Sequence, residues 1–301
     1  MLTLILACTV ARHPTTPAAP ESAQLRLEEL LSPGPLKHEV HISARTEGDL
    51  GGLLDLSDPQ GPPLKKGKVP IVLPIHLFEH PEHGVWVVDT GVSQGFVEGT
   101  KEPAKGLLRA AAGSIHGEKS LKSVVAGRDL RGVLITHAHL DHVLGLPDVP
   151  PEVPVYLGPG ELEERLGRNL LTHRTTQYAF AGHDLRSWDY DKGVQLGPVD
   201  KALDVLGDGS LWALFSPGHT PGSTAFLART TEGPVLIAGD VCHTLWGWDN
   251  GVPPGGYSSD GELGRQSFER LQQIAADHPE ITVFVGHETD GEGTGVDLLL
   301  D

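Results

Sequence analysis

The chain of 301 residues contains only two cysteines, Cys8 and Cys242. That excludes a disulfide framework and a cysteine-rich zinc site. Basic residues are scarce too: 23 Lys and Arg stand against 40 Asp and Glu, a formal charge of −17. So acidic a surface repels a phosphate backbone, which argues against a nucleic-acid partner. Long apolar runs are missing. The longest uncharged apolar stretch near the start, Leu2 to Ala11, is too short to span a bilayer. No Gly-x-Ser-x-Gly elbow occurs, so no serine nucleophile of that type is available. What is abundant is glycine and proline, 38 and 24 residues, which implies many turns between short strands. With 39% hydrophobic and 21% charged residues, the composition is that of a globule with an ample core.

The N-terminal segment reads as separate from the fold. Ile5-Leu6-Ala7-Cys8 resembles the lipobox of bacterial lipoproteins, and the stretch from Pro14 to Pro20 has the composition of a tether. No Lys or Arg precedes Cys8, and the apolar segment is shorter than a usual signal peptide. Two placements therefore stand side by side: an envelope protein lipid-anchored at Cys8, or a cytoplasmic protein with a disordered tail. In either case residues 1–35 are expected to lie outside a catalytic domain of residues 36–301.

Two hairpins punctuate that domain. Ile71-Val72-Leu73 and Ile75-His76-Leu77-Phe78 lead through a Pro81–Gly84 turn into Val85–Val88 and Asp89-Thr90-Gly91. Thr224–Leu227 leads through Glu232-Gly233-Pro234 into Val235–Ala238 and Gly239-Asp240. Each hairpin is followed by a buried-type strand that ends in histidine, Val133 to His137 and Val283 to His287. The intervals are alike: His137 lies 48 residues after Asp89, and His287 lies 47 after Asp240. The echo suggests two similar β-rich halves. Helical spacing over Gly160–Leu171 and Leu263–Asp277 provides helices to cover them, so the fold class is layered α/β.

The chemistry concentrates in Thr136-His137-Ala138-His139-Leu140-Asp141-His142. In extended backbone, residues two apart project to one side, so His137 and His139 can reach one ion. Asp141 and His142 would crowd that ion and suit a neighbouring one. Imidazole and carboxylate without thiolate suit zinc, and also manganese or iron. Further donors stand at other strand ends: His219 within Ser216–Gly222, Asp240 after Gly239, and His287 after Gly286. A carboxylate has two oxygens, so Asp240 is able to bridge two ions.

His-x-His-x-Asp-His followed by His219, Asp240 and His287 resembles the metallo-β-lactamase superfamily over about residues 70–290. The resemblance implies an αββα sandwich of two similar halves. It implies two metals, one held by His137, His139 and His219, the other by Asp141, His142 and His287, with Asp240 between them and Asp89 in a supporting role. Classical β-lactamases of the family generally lack the bridging Asp, flavin-associated members have Glu where His139 stands, and glyoxalase-type thioesterases carry a helical domain after the last ligand. The remaining resemblance is to N-acyl-homoserine lactone lactonases and related ester hydrolases, with quorum quenching as a setting.

The expected reaction is hydrolysis of a small lactone or carboxylic ester by a hydroxide bridging two Zn ions, with Asp141 or His243 moving protons. His243 occupies the position three residues after the bridging Asp where the best-known lactonases have Tyr. The alternatives are a mononuclear iron dioxygenase of sulfur compounds on the same fold, a phosphotriesterase, or a β-lactamase. Trp246 and Trp248 are candidates to wall the substrate site, and Thr172–Tyr190, with Tyr178, Phe180 and Trp188, to cover it; the alternative for these aromatics is packing in the core or at the rim. Cys242 reads as a small buried filler, and His38, His41, His80, His83, His116 and His278 as surface groups.

Overall fold

The structure is a computed structural model that describes residues 13, 15–20, 27–59, 66–100, 102–104, 112–163 and 175–289. The lipobox-like segment with Cys8, most of the expected helix over Gly160–Leu171, and residues 172–174 lie outside the described residues.

Two sheets form the centre. The first runs, in spatial order, β1 (Thr16–Ala18), β8 (Leu185–Trp188), β7 (Val155–Leu157), β6 (Leu130–Leu134), β4 (Gly84–Val88), β3 (Lys68–His80), β2 (Lys37–Asp49) and β5 (His116–Gly117). The second runs β14 (Thr282–Val285), β13 (Gly233–Gly239), β12 (Thr224–Thr230), β11 (Leu211–Phe215), β10 (Val199–Asp204) and β9 (Val194–Leu196). Both hairpins form as the sequence predicts, β3 with β4 and β12 with β13, each antiparallel. In each sheet the strand ending in histidine then pairs in parallel with the second hairpin strand, β6 with β4 and β14 with β13. The repeated interval in the sequence is thus a repeated piece of topology.

Strands buried on both faces account for the near-continuous apolar runs. Alternate residues point to opposite sides. Ile75, Leu77, Val85 and Val87 face outward from the first sheet, onto Leu121, Val124, Val143 and Leu146. Their neighbours Phe78, Trp86 and Val88 face inward and meet Leu211, Ala213, Phe226, Ala228, Val235 and Ile237 of the second sheet. The outer face of that sheet, Trp212, Leu214, Ala225, Leu227 and Leu236, packs on Phe268, Leu271 and Ile274. These three belong to the helix Gly261–Asp277, which Asp260 caps by accepting from Leu263 N–H. Each large apolar side chain so buried contributes about 1.5–3 kcal/mol. The layers are those of the αββα sandwich. Among the described residues, no helix is long and apolar enough to cross a membrane.

The expectation that residues 1–35 stand apart needs correction for the described part. Thr16–Ala18 adds a parallel edge strand to β8. Leu27 and Leu30 pack beneath the second sheet, and Gly34 N–H donates to Thr230 O. Unpaired edge groups and exposed leucines supply the driving force, and a reading by tether composition overlooks both.

Candidate metal centre

The seven side chains singled out in the sequence converge in the segments that follow β6, β11, β13 and β14, at one rim of the sandwich. His137 follows β6 while the chain is still extended. At His139, with φ −70° and ψ 154°, the backbone turns into the short helix Leu140–Val143. The His137 and His139 rings therefore lie together, 4.5 Å between centroids. Asp141 and His142, inside the helix, bring their donor atoms to His287, although the His142 ring stays 4.1 Å from that of His137. Two groups result: His137, His139, His219 and Asp240, and Asp141, His142 and His287, with the donor atoms of each group within 4.8 Å of one another.

Their spacing is that of ligands around an ion. A tetrahedron with bonds of about 2.0–2.1 Å has donor–donor edges of about 3.3–3.4 Å. In the first group His219 Nε2 is 3.4 Å and His137 Nε2 3.6 Å from Asp240 Oδ2, and His139 Nδ1 is 2.9 Å from His219 Nε2. Around the second, His142 Nε2 is 3.5 Å from Asp240 Oδ1, and His287 Nε2 is 3.6 Å from Asp141 Oδ2 and 3.3 Å from Asp240 Oδ2. His137 Nε2, His142 Nε2 and Asp240 Oδ1 are buried and have no hydrogen-bond partner. Buried polar atoms are rarely left in that state, and cations would satisfy all three.

Protonation supports the fit of the first group. Burial holds His137 and His219 well below the ordinary histidine value and His139 at about 4, so these rings are neutral lone-pair donors near pH 7. Burial opposes the charge on Asp240, but His287, His142, His243 and His137 around it keep its carboxyl well below the usual range. His142 is pulled the other way: against burial, Asp89, Asp240 and Asp141 raise it well above its ordinary value.

The surrounding residues fix these side chains. Asp89, held at φ +58°, takes Thr136 N–H and Thr136 Oγ1–H and lies 2.7 Å from His142 Nδ1. This bond places the His142 proton on Nδ1 and leaves Nε2 for the centre. Thr90 Oγ1 donates to His142 O and accepts from Gly145 N–H, while Gly91 sits where a Cβ would lie 2.2 Å from Ser43 Oγ. Each residue of Asp89-Thr90-Gly91 thus has a separate task. Gly286 is needed for Asp240: a Cβ there would lie 2.0 Å from Asp240 Oδ1. Glu161, read in the sequence only as a helix residue, is buried between the two ligand loops. It accepts from Ala138 N–H, between His137 and His139, and from Thr220 Oγ1–H and Gly222 N–H, just after His219. A single glutamate in a polar-looking segment carries no signal of that role.

A cleft of about 390 Å³ opens onto His139, Asp141, His219, Asp240 and His287. Its walls are Leu53, Ile71, Ile115, Leu140 and Tyr257, and Tyr257 Oη accepts from Asp49 N–H. The expected aromatic walls lie elsewhere. Trp246 packs on Leu50, Leu53 and Leu54, and Trp248 packs edge-on against Phe268, 5.8 Å between centroids. Phe180 and Trp188 are core residues, and Tyr178 is exposed. Large aromatics find more apolar area in the interior than at the rim, and proximity in sequence to Asp240 does not override this. His243, expected beside the substrate, is 1% exposed and does not line the cleft.

Two further expectations change. His80 is buried: its Nδ1 accepts from Glu82 N–H and His83 N–H, and its Nε2 donates to Asp208, so it closes the β3–β4 turn and has no lone pair left for a metal. His38 is half-buried, stacked 4.7 Å from Phe78 and hydrogen-bonded to His76. Cys242 is buried, as expected, and its thiol donates to Thr244 O.

The chain is similar to proteins already known. The chain is 32% identical over 168 residues to N-acyl homoserine lactonase AttM of Agrobacterium fabrum, which spans 54% of this chain and only 59% of that protein. It is 28% identical over 238 residues to AttM of Azorhizobium caulinodans, covering 73% of this chain and 83% of the relative. Among solved structures, B. thuringiensis AiiA with N-decanoyl-L-homoserine bound superposes with a TM-score of 0.62 at 19% identity, covering 87% of this chain and 95% of that one. AidC, a dizinc quorum-quenching lactonase, gives 0.58 at 15% identity, with 87% and 90% covered. At such identities the likeness establishes the fold. The sequence profile of the metallo-beta-lactamase superfamily matches residues 74–287, a span that holds all seven converging side chains, and the chain belongs to that superfamily.

Proposed function

We propose that the protein is a metal-dependent hydrolase of lactones or carboxylic esters, with a pair of divalent cations, zinc first among them, held by the seven side chains. The observation that carries the reading is the double cluster. His137, His139 and His219 form one group of donors, Asp141, His142 and His287 another, and Asp240 stands between them, with five of the seven side chains lining a cleft. Bound cations of this kind supply Lewis acidity, making water nucleophilic near neutral pH and polarising a carbonyl.

The chain's own residues do the rest. Leu53, Ile71, Ile115 and Leu140 offer apolar surface to an acyl chain. Asp141, half-buried and facing the cleft, is placed to take a proton from the attacking water at its carboxylate and pass it to a departing alkoxide. Asp89 and the carbonyl of Val72 orient His142 and His287. The AttM relatives support a lactone as substrate. The second donor group, which a single-iron dioxygenase would not need, weighs against the oxygenase reading.

The test is a panel of lactones, esters, phosphotriesters, β-lactams and γ-lactams on metal-reconstituted protein. Turnover of a lactone, abolished by chelation and restored by zinc or manganese, is expected. One iron per chain, with no hydrolysis of any lactone or ester, would overturn the proposal.

A further inference from the structure

His243 has the posture of a ligand although it stands outside the seven. Its Nδ1 lies 3.0 Å from Leu53 O. A carbonyl only accepts, so in the neutral ring the proton is on Nδ1 and Nε2 presents a lone pair. That lone pair is 3.2 Å from Asp240 Oδ2, which is also an acceptor. Two acceptors at this distance call for a cation between them or a second proton on the ring.

His287 provides the internal comparison. Its Nδ1 lies 3.0 Å from Val72 O and its Nε2 3.3 Å from the same Asp240 Oδ2. The two rings are parallel within 7°, with centroids 5.7 Å apart. The backbone explains the match. Gly286 N–H donates to Cys242 O and His287 N–H to His243 O, so the two segments run side by side and project both imidazoles the same way. The donor atoms of Asp240, His243 and His287 lie within 4.8 Å of one another.

We propose that His243 is an eighth metal donor, its Nε2 ligating the cation shared by His287 and Asp240. The inference rests on the metal-centre reading above. It gives the cation near His287 one more protein ligand than the seven-residue set provides. It also replaces the sequence expectation that His243 reaches substrate: a ring outside the cleft wall acts on the reaction only through the metal.

The test uses the full chain with 15N-labelled histidine, loaded with 113Cd, and reads one-bond cadmium–nitrogen couplings, which proximity alone cannot produce. A coupling on His243 Nε2, with a proton on Nδ1, is expected. In His243→Gln, chelator competition should remove one cation about 100-fold more easily while the other keeps its affinity. Couplings on the other five histidines but none on His243 would overturn the proposal and leave the seven-residue centre standing. The absence of coupling on every histidine would overturn both. Because the couplings are read on the native protein, the outcome does not depend on a variant folding.

Discussion

The bond between Asp89 and His142 makes a direct test of how the centre is assembled. Asp89→Asn preserves size and, since Asn tolerates the left-handed region as Asp does, also the backbone at φ +58°. Its side-chain amide oxygen would continue to accept from Thr136 N–H. An NH₂ group then stands where an oxygen faced His142 Nδ1 at 2.7 Å. Two donors cannot share that contact, so the imidazole proton moves to Nε2, the atom directed at Asp240. Loss of such an orienting partner weakens metal affinity by about 10–100-fold, or about 1.4–2.8 kcal/mol at 1.4 kcal/mol per factor of ten. Chelator competition on the zinc-loaded protein should therefore show one cation released more readily, with the cation of His137, His139 and His219 retained. Equal retention of both cations in the folded variant would refute the argument that Asp89 sets the His142 tautomer.

Glu161→Gln puts an N–H donor against the backbone donors of the two ligand loops. It should cost about 1.5–3 kcal/mol, read by calorimetry as a fall of about 2–4 °C in melting temperature per kcal/mol, with weaker binding at His139 and His219. Gly286→Ala places a methyl 2.0 Å from Asp240 Oδ1 and should lower the zinc content of purified protein for both cations, measured by metal analysis. His38 is held at about 4 and His76 well below its ordinary value, both chiefly by burial. The unfolded chain therefore binds more protons below pH 6.5, and stability should decline as pH falls from about 6.5 toward 4. Denaturant titrations of His38→Gln should show a shallower slope in that window, by up to about 1.4 kcal/mol per pH unit.

Much of the site was legible in one line of sequence because metal chemistry constrains residue type and spacing together. His137-x-His139 at a strand end, with Asp141 and His142 in the next turn, has few other uses. Asp240 and His287 stood out because each closes an apolar run. The supporting residues were illegible for the opposite reason. Glu161 and Gly286 act through close contacts with segments distant in the chain, and a lone Glu or Gly has no pattern to detect. The substrate walls were misread because Trp246 and Trp248 were judged by their nearness in sequence to Asp240, whereas Trp246 packs against the cluster that holds the cleft walls Leu53 and Ile71 without itself lining the cleft, and Trp248 packs on Phe268.

The residue types and their order determined the two halves, the strand-end donors and the likeness to a metal-binding family, since periodicity and ligand chemistry are local properties of the chain. Which donors stand together, which carbonyl faces each imidazole, and which face of the molecule is open to substrate were decided only when the two sheets packed. Those properties are distances between segments up to 215 residues apart, such as His287 and Val72, and no local pattern encodes them.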